Sequence, residues 1–223
     1  MTEQEWLESC DGQAMLNKIE SDAVSERKAR LFAVACCRQL WGKLGSAGRK
    51  IAEVAELYAD ELASKETEPW FGRVVAWVSS WKQRRQLESL QQQVEQEFGS
   101  DLVSWTLREM HEEPLCMGAS LFAYLASSFA NDLGLAQKVQ ATLVREILGN
   151  PFRPVTLNPA WRTSNVTALA HAIYDDRAFD RLPILADALE DAGCDNADIL
   201  NHCRQPGEHV RGCWVVDLVL GKE

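Results

Sequence analysis

Apolar side chains recur at every third or fourth position along almost the whole chain, and no window sustains an apolar–polar alternation. That period lays one face of a helix against a core, whereas a half-buried strand needs a period of two. The chain is therefore expected to fold by packing helix on helix. Local punctuation agrees. Thr2 and Glu5 have the spacing of a capping box, which opens a short helix carrying Trp6 and Leu7. Asp11 is placed to cap a second helix with Met15, Leu16 and Ile19. A long third helix starts after Ser25 and runs toward Gly45, with Phe32, Cys36, Leu40 and Leu44 on a central face.

The pattern continues with a stripe of Ile51, Val54, Ala55, Tyr58 and Leu62, which leaves Glu53, Glu56, Asp60 and Glu61 outside. Further helices are expected over 67–99, 100–113, 115–131 and 132–148. At Gly149 the pattern breaks. Pro151, Pro154 and Pro159 exclude a regular helix over 149–163, yet Phe152, Val155, Leu157 and Trp161 are too apolar for a free linker. This stretch reads as an extended, packed crossover. Four helices follow, with Ser164, Asp180, Asp195 and the Pro206-Gly207 pair marking their starts. The expected fold is all-α, about ten helices in an orthogonal or bundle-like unit over 1–223, subdivided at most into 1–148 and 149–223.

Charge narrows the partners. The 33 acidic and 23 basic side chains leave a net charge of −10, and both halves of the chain are acidic, so no basic lobe is hidden in the average. Nucleic-acid affinity comes mainly from Lys and Arg neutralising phosphates, so no nucleic-acid partner is expected. No run approaches the roughly 18 apolar residues of a membrane helix, and the N-terminus is acidic rather than signal-like. Seven cysteines, two of them adjacent at Cys36 and Cys37, do not form a disulfide framework. Reduced thiols in the cytoplasm are the expectation.

Chemistry-bearing residues concentrate between 194 and 214, a stretch with three cysteines and two of the four histidines. Placed on successive helices, Asp198 and His202 form one i, i+4 pair, and His209 and Cys213 another. Two such pairs meeting across a helical hairpin would offer four ligands for zinc, with Cys194 and Cys203 as substitutes. The spacing matches no established zinc pattern, and cysteine is often buried simply as a small hydrophobe. Core packing and helix-end roles are therefore favoured, with metal binding as the alternative. The acidic residues from Asp175 to Asp198 lack EF-hand spacing and read as caps and a solvated face. The 44–50 turn, with Gly45 and Gly48, lacks the preceding strand and the Lys-Ser/Thr pair of a phosphate loop. No nucleophile elbow, HExxH or dinucleotide loop occurs, so no catalytic residue is assigned. Trp70, Trp77 and Trp81 share a helical face and are the candidate partner-binding residues.

The blocks NPFRPVTLNPAW, AIYDDRAFDRLPILADALEDAGC and HVRGCWVVDLVLGKE resemble the shared C-terminal end of a large family of uncharacterised planctomycete bacterial proteins. TEQEWLESC and RKARLFAVACCRQLW are similar to the N-terminal part of the same family. Over about 66–135 the chain departs from the Ala- and Trp-rich stretch of that family. The resemblance implies lineage and no activity, cofactor or catalytic residue. The leading expectation is a non-catalytic protein–protein interaction or scaffolding module. The alternative is a small metal-binding protein or metal-assisted hydrolase built on the 198–213 cluster, and a weaker third is an anion-binding regulatory domain at 45–50.

Overall fold

The computed structural model describes residues 1–19, 24–39, 41–42, 49, 52–53, 56, 59 and 133–222. Helices make up 67% of these and no strand occurs among them, so the fold is all-α. The stripes expected at 67–99, 100–113 and 115–131, including Trp70, Trp77 and Trp81, lie outside the described residues, as does nearly all of the 44–50 turn.

The N-terminal helices are short and depend on their ends. In α1 (Glu3–Glu8) the Thr2 hydroxyl accepts from the Glu5 N–H at 3.2 Å, and the Glu5 carboxylate accepts from the Thr2 N–H at 2.7 Å. The capping box thus satisfies two donors that the first turn leaves free. Asp11 caps α2 (Gly12–Leu16) by accepting from the Ala14 N–H. Both helices seat on α4 (Leu133–Leu148), whose Arg145 guanidinium donates to the carbonyls of Trp6 and Ser9 and closes the end of α1. α2 approaches α4 so closely that a Cβ on Gly12 would lie 2.4 Å from Gln140 Cβ and 2.9 Å from the Ala141 backbone nitrogen. Gly12→Ala should therefore force the helices apart and cost about 1–3 kcal/mol. Urea unfolding would measure it, and an unchanged midpoint would mean that α2 does not pack in this way.

α3 (Glu26–Gln39) completes a first hydrophobic cluster around Trp6, Met15, Phe32, Cys36, Val144 and Ile147. A second cluster is built by α5 (Ser164–Asp176), α6 (Leu182–Asp191), α7 (Ala197–Arg204) and α8 (Trp214–Leu220) around Ile173, Leu185, Leu189, Ile199 and Val216. The 149–163 stretch holds only a 3-10 turn at Pro159–Trp161 and lays Val155, Leu157 and Trp161 half-buried on this second cluster.

Several helix starts fall one residue from their expected caps. Thr163 rather than Ser164 caps α5, and Asn196 rather than Asp195 caps α7; each accepts from the N–H three residues on. Larger corrections concern two segments. Residues 208–213 are not helical, and α8 begins only at Trp214. Gly212 interrupts any helix there: its φ of +95° is left-handed, and a Cβ at this position would lie only 3.1 Å from the Leu31 side chain. Glu56, expected on an outer face, is buried. Its carboxylate takes the guanidinium groups of Arg38 and Arg177, so the charge is paired rather than solvated.

Where the two clusters meet, the contact is polar. Asp217, 1% exposed on α8, accepts two parallel bonds from Arg27 at 2.8 and 3.0 Å and stands 2.7 Å from Lys28 Nζ. Arg27 also donates to the Tyr174 hydroxyl at 2.8 Å. Lys28 reaches the carbonyls of Ile147 and Gly212 at 3.0 and 2.9 Å, tying α3, α4 and the start of α8 together.

Candidate metal centre

Glu146 lies on the last turn of α4, beside Leu143 and Ile147, and only 4% of its side chain is exposed. His202 lies on the last turn of α7, 8% exposed. His209 and Cys213 belong to the loop between α7 and α8, Cys213 being the last residue before the helix and fully buried. Each of these four side chains offers one ligand atom, and all four atoms lie within 4.8 Å of one another.

The individual distances are short. His209 Nδ1 is 3.0 Å from both Glu146 oxygens. His202 Nε2 is 3.3 Å from Glu146 Oε2 and 3.2 Å from Cys213 Sγ. Four donors at zinc bond lengths of about 2.0–2.3 Å stand about 3.3–3.8 Å apart at tetrahedral angles. The cluster is close to the size of a zinc coordination shell, with contacts of 3.0–3.3 Å at its tight side and a spread of up to 4.8 Å that an ion would have to draw in; two imidazoles, a thiol and a carboxylate make the donor set. Glu146, His202 and His209 also line a cleft of about 860 Å³, which supplies a route in from solvent.

Electrostatics at the cluster follow from burial and from the carboxylate. Burial raises the Glu146 pKa, but hydrogen bonds and charge from His202 and His209 outweigh it and hold the carboxyl down at about 2. Glu146 is thus a fixed negative charge over the ordinary pH range. Burial lowers the His209 pKa, and the Glu146 carboxylate beside it more than restores it, so the ring holds its proton above its usual range. Burial and the same carboxylate push the Cys213 thiol well above its ordinary value, so it stays protonated unless a cation replaces the proton.

The second ring nitrogen of His202 is also engaged. Trp214 Nε1–H, which can only donate, points at His202 Nδ1 from 3.0 Å. Without metal, His202 therefore carries its proton on Nε2 and donates it toward Glu146 and Cys213. A metal on Nε2 would require that proton on Nδ1, which would set it against the Trp214 N–H, so Trp214 would have to turn aside and the Gln205 amide, 3.2 Å away, turn over to present its oxygen. His209 Nε2, buried and facing the Gln205 backbone carbonyl, could likewise carry the proton that a metal would displace from Nδ1.

Of the residues expected from sequence, His202, His209 and Cys213 come together and Asp198 stands apart. Asp198 is 47% exposed and 4.0 Å from Arg153. Four residues along α7 separate its backbone from that of His202 by about 6 Å, and its carboxylate is not among the converging donor atoms. Cys194 and Cys203 are buried but lie outside the group; burial raises the Cys203 thiol to about 12. The fourth donor, Glu146, was missed. Its signal is that Val139, Leu143 and Glu146 follow i, i+4, i+7 spacing, which puts an acid on the apolar stripe of its helix.

The other sites behave as ordinary structure. Cys36 is core, and burial raises its thiol well above the usual value. The acidic residues from Asp175 to Asp198 are exposed, and Asp187 and Glu190 share Arg204. His171 is exposed and outside any cluster, and His111 lies outside the described residues. No helix among the described residues is long and apolar enough to cross a membrane.

No protein-family model matches the sequence, and no curated protein or solved structure matches it. The site must therefore be read from its own chemistry. A thiolate and two imidazoles suit zinc and neighbouring transition metals and suit calcium or magnesium poorly. Four protein donors, three of them on buried residues and one on half-buried His209, would make a closed shell of the structural kind; a catalytic zinc keeps one position open.

Proposed function

We propose that this chain is a metal-binding helical protein, holding one divalent transition ion, zinc foremost, through Glu146, His202, His209 and Cys213. The observation that carries the reading is the convergence of these four donor atoms within 4.8 Å in a buried site. The closed donor set favours a holding role over metal-assisted hydrolysis. A partner surface at Trp70, Trp77 and Trp81 stays a separate proposal, since those residues lie outside the described part of the chain.

The test is metal analysis of the full chain after exposure to zinc and dialysis. About one equivalent per chain is expected for a site of structural affinity. Cys213→Ser should weaken binding by more than the roughly 10–100-fold that loss of an outer partner costs, whereas Asp198→Asn should leave it unchanged. Uptake below about 0.2 equivalents, far under the single occupied site expected, would sink the reading. An Asp198→Asn loss equal to that of Cys213→Ser would make Asp198, not Glu146, the fourth ligand.

A further inference from the structure

We propose that the metal acts as a clasp between the two hydrophobic clusters, fixing α4 to the loop between α7 and α8 so that occupancy controls how firmly that seam is closed. The inference rests on the metal reading above and adds its mechanical consequence.

The donors are unevenly divided. His202, His209 and Cys213 fall within a single short stretch, while Glu146 alone comes from α4, more than fifty positions earlier in the chain. Glu146 is flanked by Leu143, Val144 and Ile147 of the first cluster, and His202 and Cys213 by Cys203 and Val215 of the second. A metal bound by all four would link the two cores directly.

The loop itself needs such a link. Over 206–213 the backbone makes one internal hydrogen bond, Cys213 N–H to the Val210 carbonyl, and Gly207 and Gly212 both have positive φ. Segments poor in backbone hydrogen bonds open at low free-energy cost unless side chains anchor them. The anchors here converge on one place. Val210 belongs to the first cluster and its N–H donates to Glu146 Oε1 at 3.4 Å, Gly212 takes the Lys28 ammonium on its carbonyl, and Cys213 turns into the second cluster. Without metal, Glu146 holds the loop through the His209 imidazole and the Val210 N–H, and the end of α7 through His202. With metal, the same carboxylate and three loop-side donors share one ion.

Hydrogen–deuterium exchange on the full chain tests this, with zinc present and then removed by EDTA, and with zinc stoichiometry read by native mass spectrometry on the same samples. At free zinc about 100 times its dissociation constant, exchange over 140–148 and 205–213 should slow by up to about 100-fold, while α6 changes by less than about tenfold. Glu146→Gln keeps three donors. It should still take up zinc and protect 205–213, with the protection of 140–148 lost. If the wild-type chain binds one zinc and both segments exchange as before, the clasp is wrong and the metal reading stands. If Glu146→Gln binds zinc and protects 140–148 as fully as wild type, the clasp does not run through Glu146 and is also wrong. If no zinc is taken up, the metal reading fails and the clasp with it.

Discussion

Asp217→Ala should lower the free energy of unfolding by about 3–5 kcal/mol, the usual result of removing one partner from a buried, hydrogen-bonded ion pair. Arg27 and Lys28 lose their shared carboxylate in this variant, and Arg27 is 3% exposed, so its charge cannot be rehydrated without opening the seam. The Tyr174 hydroxyl accepts one bond from Arg27 but carries no charge to replace Asp217. Asp217→Asn keeps the shape and part of the hydrogen bonding and should fall between wild type and Asp217→Ala. Arg204→Ala is the control: Arg204 bridges Asp187 and Glu190 on an exposed surface, where water screens the pairing, and the midpoint should hardly move. Urea titrations followed by circular dichroism give these values. A loss under about 1 kcal/mol for Asp217→Ala, the scale of an exposed pair, would show that the seam is wet.

The second large effect concerns zinc affinity and pH. The metal-free Cys213 thiol sits well above its ordinary value because of burial and the Glu146 carboxylate, so zinc must displace a proton from it at neutral pH. His209, raised above its usual range by Glu146 despite burial, gives up a second proton wherever it is still an imidazolium. Both sites favour metal as pH rises. Affinity should therefore fall about tenfold per pH unit on descending from pH 8, steepening toward about 100-fold per unit once His209 is protonated in the metal-free chain. Glu146, held at about 2, adds no dependence in this window. Competition titrations against a chromophoric chelator at pH 6, 7 and 8 give the slope. A flat profile would remove Cys213 from the ligand set.

How much of this was legible before the fold was known can be judged residue by residue. Thr2, Glu5 and Asp11 act where their positions imply, because caps are decided by a few neighbouring side chains and backbone dihedrals. Neighbouring candidates for the same cap were harder to separate. Asp195 and Asn196 are both good caps, and the choice of Asn196 depends on where α7 meets the second cluster. Glu56 defeats a local rule altogether. A glutamate on an amphipathic stripe's polar side belongs outside, but Arg38 of α3 and Arg177, the residue that ends α5, make an inside position acceptable.

The candidate metal centre divides the same way. The sequence alone determined the helical class, the caps of the first two helices, and the concentration of His and Cys between 194 and 213, since each depends on residues near one another in the chain. Tertiary structure decided which of those side chains meet. It brought Glu146 from α4 into the group, left Asp198 half-exposed, and left 208–213 outside a helix, with Gly212 in a left-handed conformation beside Leu31. The physical reason is that ligand geometry is set by helices from distant parts of the chain pressing together, and residue spacing within one segment carries no measure of that approach.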